Sequence, residues 1–200
     1  MENQIKSALK VDGNFHSATV FGYSNKGIPG LEIVGLGNEG RIIKEKIIYF
    51  IRARSLGLPR KRIVIGVDTN GDFKKRISFE PLELPIFIIF LTLSGHLKTS
   101  TLNNCFTIGG ISTLGNYIPT FFNKDLHQYI ENLNGDLENL CLIAPSSFEN
   151  TSVGFTIDLD DFLSNIQKID SPENSLGLSN PSSLSTVGAT SLRANLGSIS

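Results

Sequence analysis

Tryptophan is absent from the 200 residues, methionine occurs once, cysteine twice, and no apolar run is long enough to cross a bilayer. The longest, Leu82 to Leu93, is interrupted by Glu83, Pro85 and Thr92 and reads as a buried helix. Cys105 and Cys141 lie in separate apolar segments without CxxC spacing or a nearby histidine, so neither a zinc site nor a disulfide framework is expected, and a reducing cytoplasm fits. The opening MENQIKSALK lacks the apolar core of a signal peptide. An excess of one charge is missing as well: 18 Lys and Arg stand against 19 Asp and Glu, a net charge of -1. Whole-chain electrostatics therefore favours neither nucleic acid nor a membrane as partner. Walker A, GxGxxG, HExxH and GxSxG motifs are all absent, which removes the support for most standard enzyme classes, and no cofactor or metal is expected.

What the chain does have is a sorted charge. Residues 41–76 carry eleven Lys and Arg against Glu45, Asp68 and Asp72, whereas residues 125–173 carry ten acids opposed only by Lys168. The apolar share of 40% suffices for one core and excludes a wholly disordered chain. The last thirty residues hold nine Ser with Leu in no regular period, and read as a disordered tail. The expected organisation is an N-terminal segment over 1–14, one domain over 15–170, and the tail over 171–200.

Periodicity predicts strands over His16–Tyr23 and Leu31–Leu36, joined as an antiparallel pair through the turns at Asn25-Lys26-Gly27 and Pro29-Gly30. Ile43, Ile47, Ile48 and Ile51 mark a first helix from Asn38, as N-cap, to Ser55. RIVIGV over Arg62–Val67 reads as a buried strand, and Asp68–Ser78 as a polar loop. An apolar helix follows over Pro81–His96, ended by Gly95. Beyond it come a strand over Phe106–Leu114, a turn at Asn116–Pro119, a helix over Thr120–Asn132, a strand over Leu140–Ala144 and a short helix over Asp158–Ile169. Strands and helices in mixed order predict an α+β fold, a two-layer α/β sandwich.

Several local features carry potential chemistry. Gly35-Leu36-Gly37 sits between strand and helix as a phosphate-binding turn would, but lacks a third Gly and a Lys-Ser/Thr sequel, so a plain turn is the expectation. His16, His96 and His127 have no carboxylate or cysteine at ligand spacing and read as helix-end or surface residues. Arg60, Lys61 and Arg62 at a strand start, Lys74, Lys75 and Arg76 in a loop, and Arg52 and Arg54 at a helix end could meet on one sheet edge. Such a cluster gives salt-dependent, sequence-indifferent contacts to DNA or RNA phosphates. The alternative is a solvated rim that pairs with the acidic 125–173 segment, within the chain or between subunits.

The order of motifs carries a resemblance. Pro29-Gly-Leu-Glu-Ile-Val-Gly-Leu36 resembles the "LPGFxIVGLP" strand of magnesium-chelatase-subunit-I-like ATPases of the competence protein ComM type. Leu58-Pro-Arg-Lys-Arg-Ile-Val-Ile65 is similar to that family's "FPxxRITVNL", Leu82-Glu-Leu-Pro-Ile86 to "FDLPIA", and Ile108 to Pro119 to "IGELSLDGxLRP". Leu140-Cys-Leu-Ile-Ala-Pro145 stands where the family has an "xxLVVP" strand. The resemblance implies a Lon-protease-like fold, that of ribosomal protein S5 domain 2, from about residue 15 to 170. It also implies an assembly or regulatory role beside DNA, with a second copy or a related AAA+ ATPase as partner. The family's nucleotide-binding module does not follow here, so no ATP hydrolysis is implied.

Lon-type peptidases place a nucleophilic Ser in a "DGPSAG" context in this region, with a partner Lys five residues beyond the later turn proline. By that count the weak catalytic candidates are Ser78 and Lys124. Ser78 is flanked by Ile77 and Phe79 instead of small residues, so the oxyanion-hole glycines of a Ser-Lys dyad are missing. A non-catalytic module is the expectation, with nucleic-acid binding and residual peptidase activity as alternatives.

Overall fold

Alternation sets the longest strand. In Glu2–Val11 (β1), Asn3, Ile5, Ser7, Leu9 and Val11 are buried on one face while Glu2, Gln4 and Lys6 are exposed on the other. The polar pair on the buried face is satisfied: Asn3 Oδ1 accepts from the Leu102 amide at 3.1 Å, and the Ser7 hydroxyl donates to the Thr107 carbonyl at 2.9 Å. The Asp12-Gly13 dipeptide, with φ of 50° and 88°, then turns the chain into Asn14–Asn25 (β2), antiparallel to β1 over ten residue pairs. Both central residues of such a two-residue hairpin need positive φ, which is why Asp-Gly suits it.

The computed structural model describes residues 2–69, 77–99, 102–112, 116–118, 120–132, 140–148 and 155–167. Its further elements are β3 (Gly30–Val34), α1 (Gly37–Ala53), β4 (Arg62–Thr69), β5 (Ile77–Ser78), a 3-10 turn at Glu80–Leu82 and α2 (Glu83–Ser94). Then follow β6 (Cys105–Phe106), β7 (Gly110–Ile111), β8 (Tyr117–Ile118), α3 (Lys124–Glu131), β9 (Cys141–Ala144), β10 (Phe155–Asp158) and α4 (Leu159–Ser164). The sheet runs β10-β9-β6-β1-β2-β4-β3, with β5 beside β1, while β7 and β8 form a separate pair. β2 is antiparallel to both β1 and β4; β3 is parallel to β4, and β6, β9 and β10 continue parallel from β1. This is a mixed α/β architecture compatible with an α+β sandwich.

The core explains the layers. All twelve residues of α2 are buried, and the helix lies against β1, β2 and β4. It approaches β2 so closely that a Cβ on Gly22 would stand 2.9 Å from side-chain atoms of both Ile89 and Leu93. Phe50 of α1 meets Phe87 of α2 edge-on, with centroids 4.5 Å apart. Gly95, at φ 92°, ends α2 in the left-handed conformation. Residues of opposite strand parity, Ala8, Phe106 and Leu142, pack instead with Leu126 and Ile130 of α3. Helix α3 therefore covers β1, β6 and β9 on the face of the sheet opposite α2, while Phe21, Tyr23 and Val34 remain exposed on the other strands. No helix among the described residues is long and apolar enough to cross a membrane.

Several expectations need correction. The segment assigned to 1–14 contains the strand in the middle of the sheet; its polar face and its Asn and Ser at buried positions hid the alternation. β2 and β3 do not pair, because the chain crosses through α1 and returns as β4 between them, as parallel β3 and β4 require. Asn38 lies inside α1, whose N-cap position is Leu36 without a side-chain cap. The strand expected over Phe106–Leu114 divides into β6 and β7, since Thr107 turns its hydroxyl to the Ile143 carbonyl at 2.8 Å and Gly109 lies tight against Ile118 and Leu84. The Asn116–Pro119 turn contains β8, the third helix begins at Lys124 under an Asn123 cap, and β10 precedes a shorter α4. Residues 168–200, with the Ser-rich tail, lie outside the described residues.

Candidate functional site

A buried charged group, Glu83, stands at the first residue of α2, where the helix dipole favours an anion. Its carboxylate accepts from Lys46 Nζ of α1 at 2.6 Å on Oε1 and 2.8 Å on Oε2, and from the Ile111 amide of β7 at 2.7 Å on Oε2. Glu83's side chain is 8% exposed and Lys46's 23%. Glu83 thus joins α1, α2 and β7; with its acceptor sites taken by these donors, it works as a clamp. Sequence reasoning missed both partners, because Glu83 looked like an interruption in an apolar run and Lys46 like one more cation of the basic segment.

The structure does not join the two peptidase candidates. Ser78 is half-buried in β5, the register partner of Lys10. Lys124 is exposed at the start of α3 and lines a shallow hollow with His127, Gln128, Glu131, Ser147 and Phe148. Among the described residues no hydrogen bond connects Ser78 with Lys124, and Ser78 is not part of that hollow. Lys10, the neighbour of Ser78 in the sheet, holds its ammonium over the rings of Phe15 and Phe121, 4.8 and 5.0 Å from their centroids.

The basic residues gather in part. Arg52 and Arg54 end α1, and the chain needs only Ser55–Pro59 to reach Arg60, Lys61 and Arg62 at the start of β4; all five are exposed. Arg62 bonds Glu32 of β3 at 2.8 Å, which raises its already high pKa further, and Arg54 donates to the Asn116 side chain at 3.3 Å while lying 4.6 Å from the Phe50 centroid. Lys26, in the turn before β3, and Lys98, which lines a hollow with Lys61 and Gly95, add to the same pole. Lys74, Lys75 and Arg76 lie outside the described residues. The chain re-enters the fold at Ile77, opposite Val11 and thus Asn14, whereas Arg62 is opposite Asn25. Eleven residues of β2 separate those positions, about 36 Å at a rise of ~3.3 Å per residue. Of the eight cations expected on one edge, the five described ones lie at the α1–β4 connection, and Lys74, Lys75 and Arg76 fall outside the described residues.

None of the described acids of the 125–173 segment forms an ion pair with the pole. Asp158, Asp160 and Asp161 sit at the end of β10 and in the first turn of α4; β10 is five strands away from β4 in the sheet, but the chain beyond α4 returns to the pole, where Ile166 bridges Leu97 and Gln167 meets His96. Arg52, Arg60 and Lys61 form no ion pair among the described residues. Asp158 instead caps α4 by accepting from the Asp161 amide at 3.0 Å, which holds its carboxyl below the usual value.

The histidines are separate. His96 is fully buried, with Nδ1 2.8 Å from the Gln167 carbonyl and Nε2 2.8 Å from the Gly57 carbonyl, so it staples two backbone segments instead of lying at a solvated helix end. His127 pairs with Glu131 one turn along α3 at 3.2 Å, and His16 is half-buried in β2. Among the described residues no three His, Cys, Asp or Glu side chains are grouped to hold a metal ion. Gly35 and Gly37, at φ 88° and 55°, form the turn into α1. No family model matches this sequence, and no curated protein matches it.

Proposed function

We propose that this chain is a non-catalytic, Lon-like module with the fold of ribosomal protein S5 domain 2. We relate it to the ComM-type, magnesium-chelatase-like ATPases and assign it an assembly or regulatory role through its basic pole. The resembling motifs support the relation by where they fall: Pro29–Leu36 spans β3 and its turn, Leu58–Ile65 enters β4, Leu82–Ile86 opens α2 and Leu140–Pro145 covers β9. The observation that carries the role is the pole itself. Arg52, Arg60 and Lys61 are exposed without an acidic partner among the described residues, while their neighbour Arg62 pairs with Glu32 of β3.

Cations left unpaired within a chain favour a partner that brings opposite charge, and a second copy carries such a surface on α4. Sedimentation velocity of the full chain at low and high salt, beside the Arg60→Glu/Lys61→Glu variant, tests this. A larger species at low salt, dissolved by high salt and lost in the variant, is expected. A monomer under every condition contradicts self-association. Nucleic acid is the competing partner for the same pole, and salt-sensitive anisotropy of a labelled strand, abolished in the same variant, would favour it.

A further inference from the structure

Cys105 and Cys141, separate in sequence, are register partners on the adjacent parallel strands β6 and β9. Partners across a sheet direct their side chains to the same face, here the one covered by α2 and α4, where both join the main core. Neighbouring strands lie about 4.8 Å apart, inside the Cα separation of about 4.4–6.8 Å that disulfides span. The two sulfur atoms are within hydrogen-bonding reach of each other. Both thiols are free.

We propose that Cys105 and Cys141 are an oxidation site, a dithiol that a small external disulfide converts reversibly into a staple between β6 and β9. The roles of the two sulfurs differ. Cys105 is buried, and burial first, then the adjacent Cys141, pushes its pKa up to about 12. Cys141 is also raised by burial, but it is only half-buried and a hydrogen bond from Cys105 eases its ionisation. The first nucleophile is therefore Cys141. Its thiolate attacks one sulfur of the external disulfide RSSR, expelling RS⁻ and leaving a mixed disulfide on Cys141. Cys105 then loses its proton and attacks the Cys141 sulfur, expelling the second RS⁻. Two protein thiols become one disulfide, the external disulfide becomes two thiols, and the two protein protons pass to the released thiolates.

The test is equilibration of the full chain in glutathione redox buffers, in native buffer and in urea, followed by acid quenching, alkylation and peptide mapping. The expected product is a Cys105–Cys141 linked peptide that reductant releases. Its effective concentration should be at least about tenfold higher in native buffer than in urea, where only a flexible loop of roughly millimolar effective concentration joins the thiols. The Cys105→Ser chain should stop at a glutathione adduct on Cys141. An effective concentration no higher in native buffer than in urea overturns the proposal. So does a native chain that accumulates the Cys141 adduct while Cys105 remains open to alkylation.

Discussion

Lys46 neutralises a carboxylate that the fold has withdrawn from water, so its removal leaves Glu83 with only the Ile111 amide. Lys46→Met should lower stability by about 2–3 kcal/mol, somewhat less than a fully buried pair costs because Lys46 is partly exposed. Adding Glu83→Leu should recover part of that loss, and urea unfolding of both singles and the double closes the cycle. Strict additivity would show that the two groups do not interact. Asp158 gives a pH signature. Its folded pKa lies below the ordinary 3.8 because it accepts from the Asp161 amide, so its contribution is complete above that value and is lost as pH falls through the depressed folded one. Asp158→Ala should thus be less stable than the parent at neutral pH, and the gap should close in acid. A gap in urea midpoints that is constant with pH contradicts this capping role. Neither Glu83 nor Asp158 stood out in the sequence, since their partners come from other elements or from a turn whose boundaries only the fold defines.

Elements with strong apolar periodicity were legible before their contacts were known. α1 and α2 fall close to the spans read from Ile43, Ile47, Ile51 and the run after Leu82, because one face or the whole of each helix must be buried. β1 was not legible: Asn3 and Ser7 occupy its buried face, and their cost is offset by hydrogen bonds to chain about a hundred residues away. Asp12-Gly13 was the local clue to the hairpin. The close approach of α2 to β2 yields a paired prediction. In Gly22→Ala the new methyl meets Ile89, Leu93 and the Val64 carbonyl at 2.9, 2.9 and 3.0 Å, and overpacking there should cost about 1–3 kcal/mol. In Gly66→Ala its three nearest neighbours all belong to the ring of Phe21, which is 41% exposed and can swing away, so the loss should be smaller. Thermal unfolding of the two variants ranks them; an equal or reversed order contradicts this account of the α2–sheet contact.

At the scale of the molecule, part of the basic block legible along the chain becomes a basic pole, while the described acids of the other block lie on α3, β10 and α4. Sequence order showed that the blocks exist. It could not show that six strands run from β4 to β10, or that Lys98 and Lys26 join the pole, because both depend on register. The same register places Ile77, where the described chain resumes, toward the end of β2 opposite to Arg62. The proposed role requires that the pole bind the acids of a partner and not those of its own chain. Zero-length carbodiimide cross-linking of mixed light and heavy isotope-labelled chains at low salt, with peptide mapping, tests this directly. Links from Lys61 to the acidic residues of α4 that join light to heavy chains are expected. Links from Lys61 to those acids within a single chain only would contradict the proposed role.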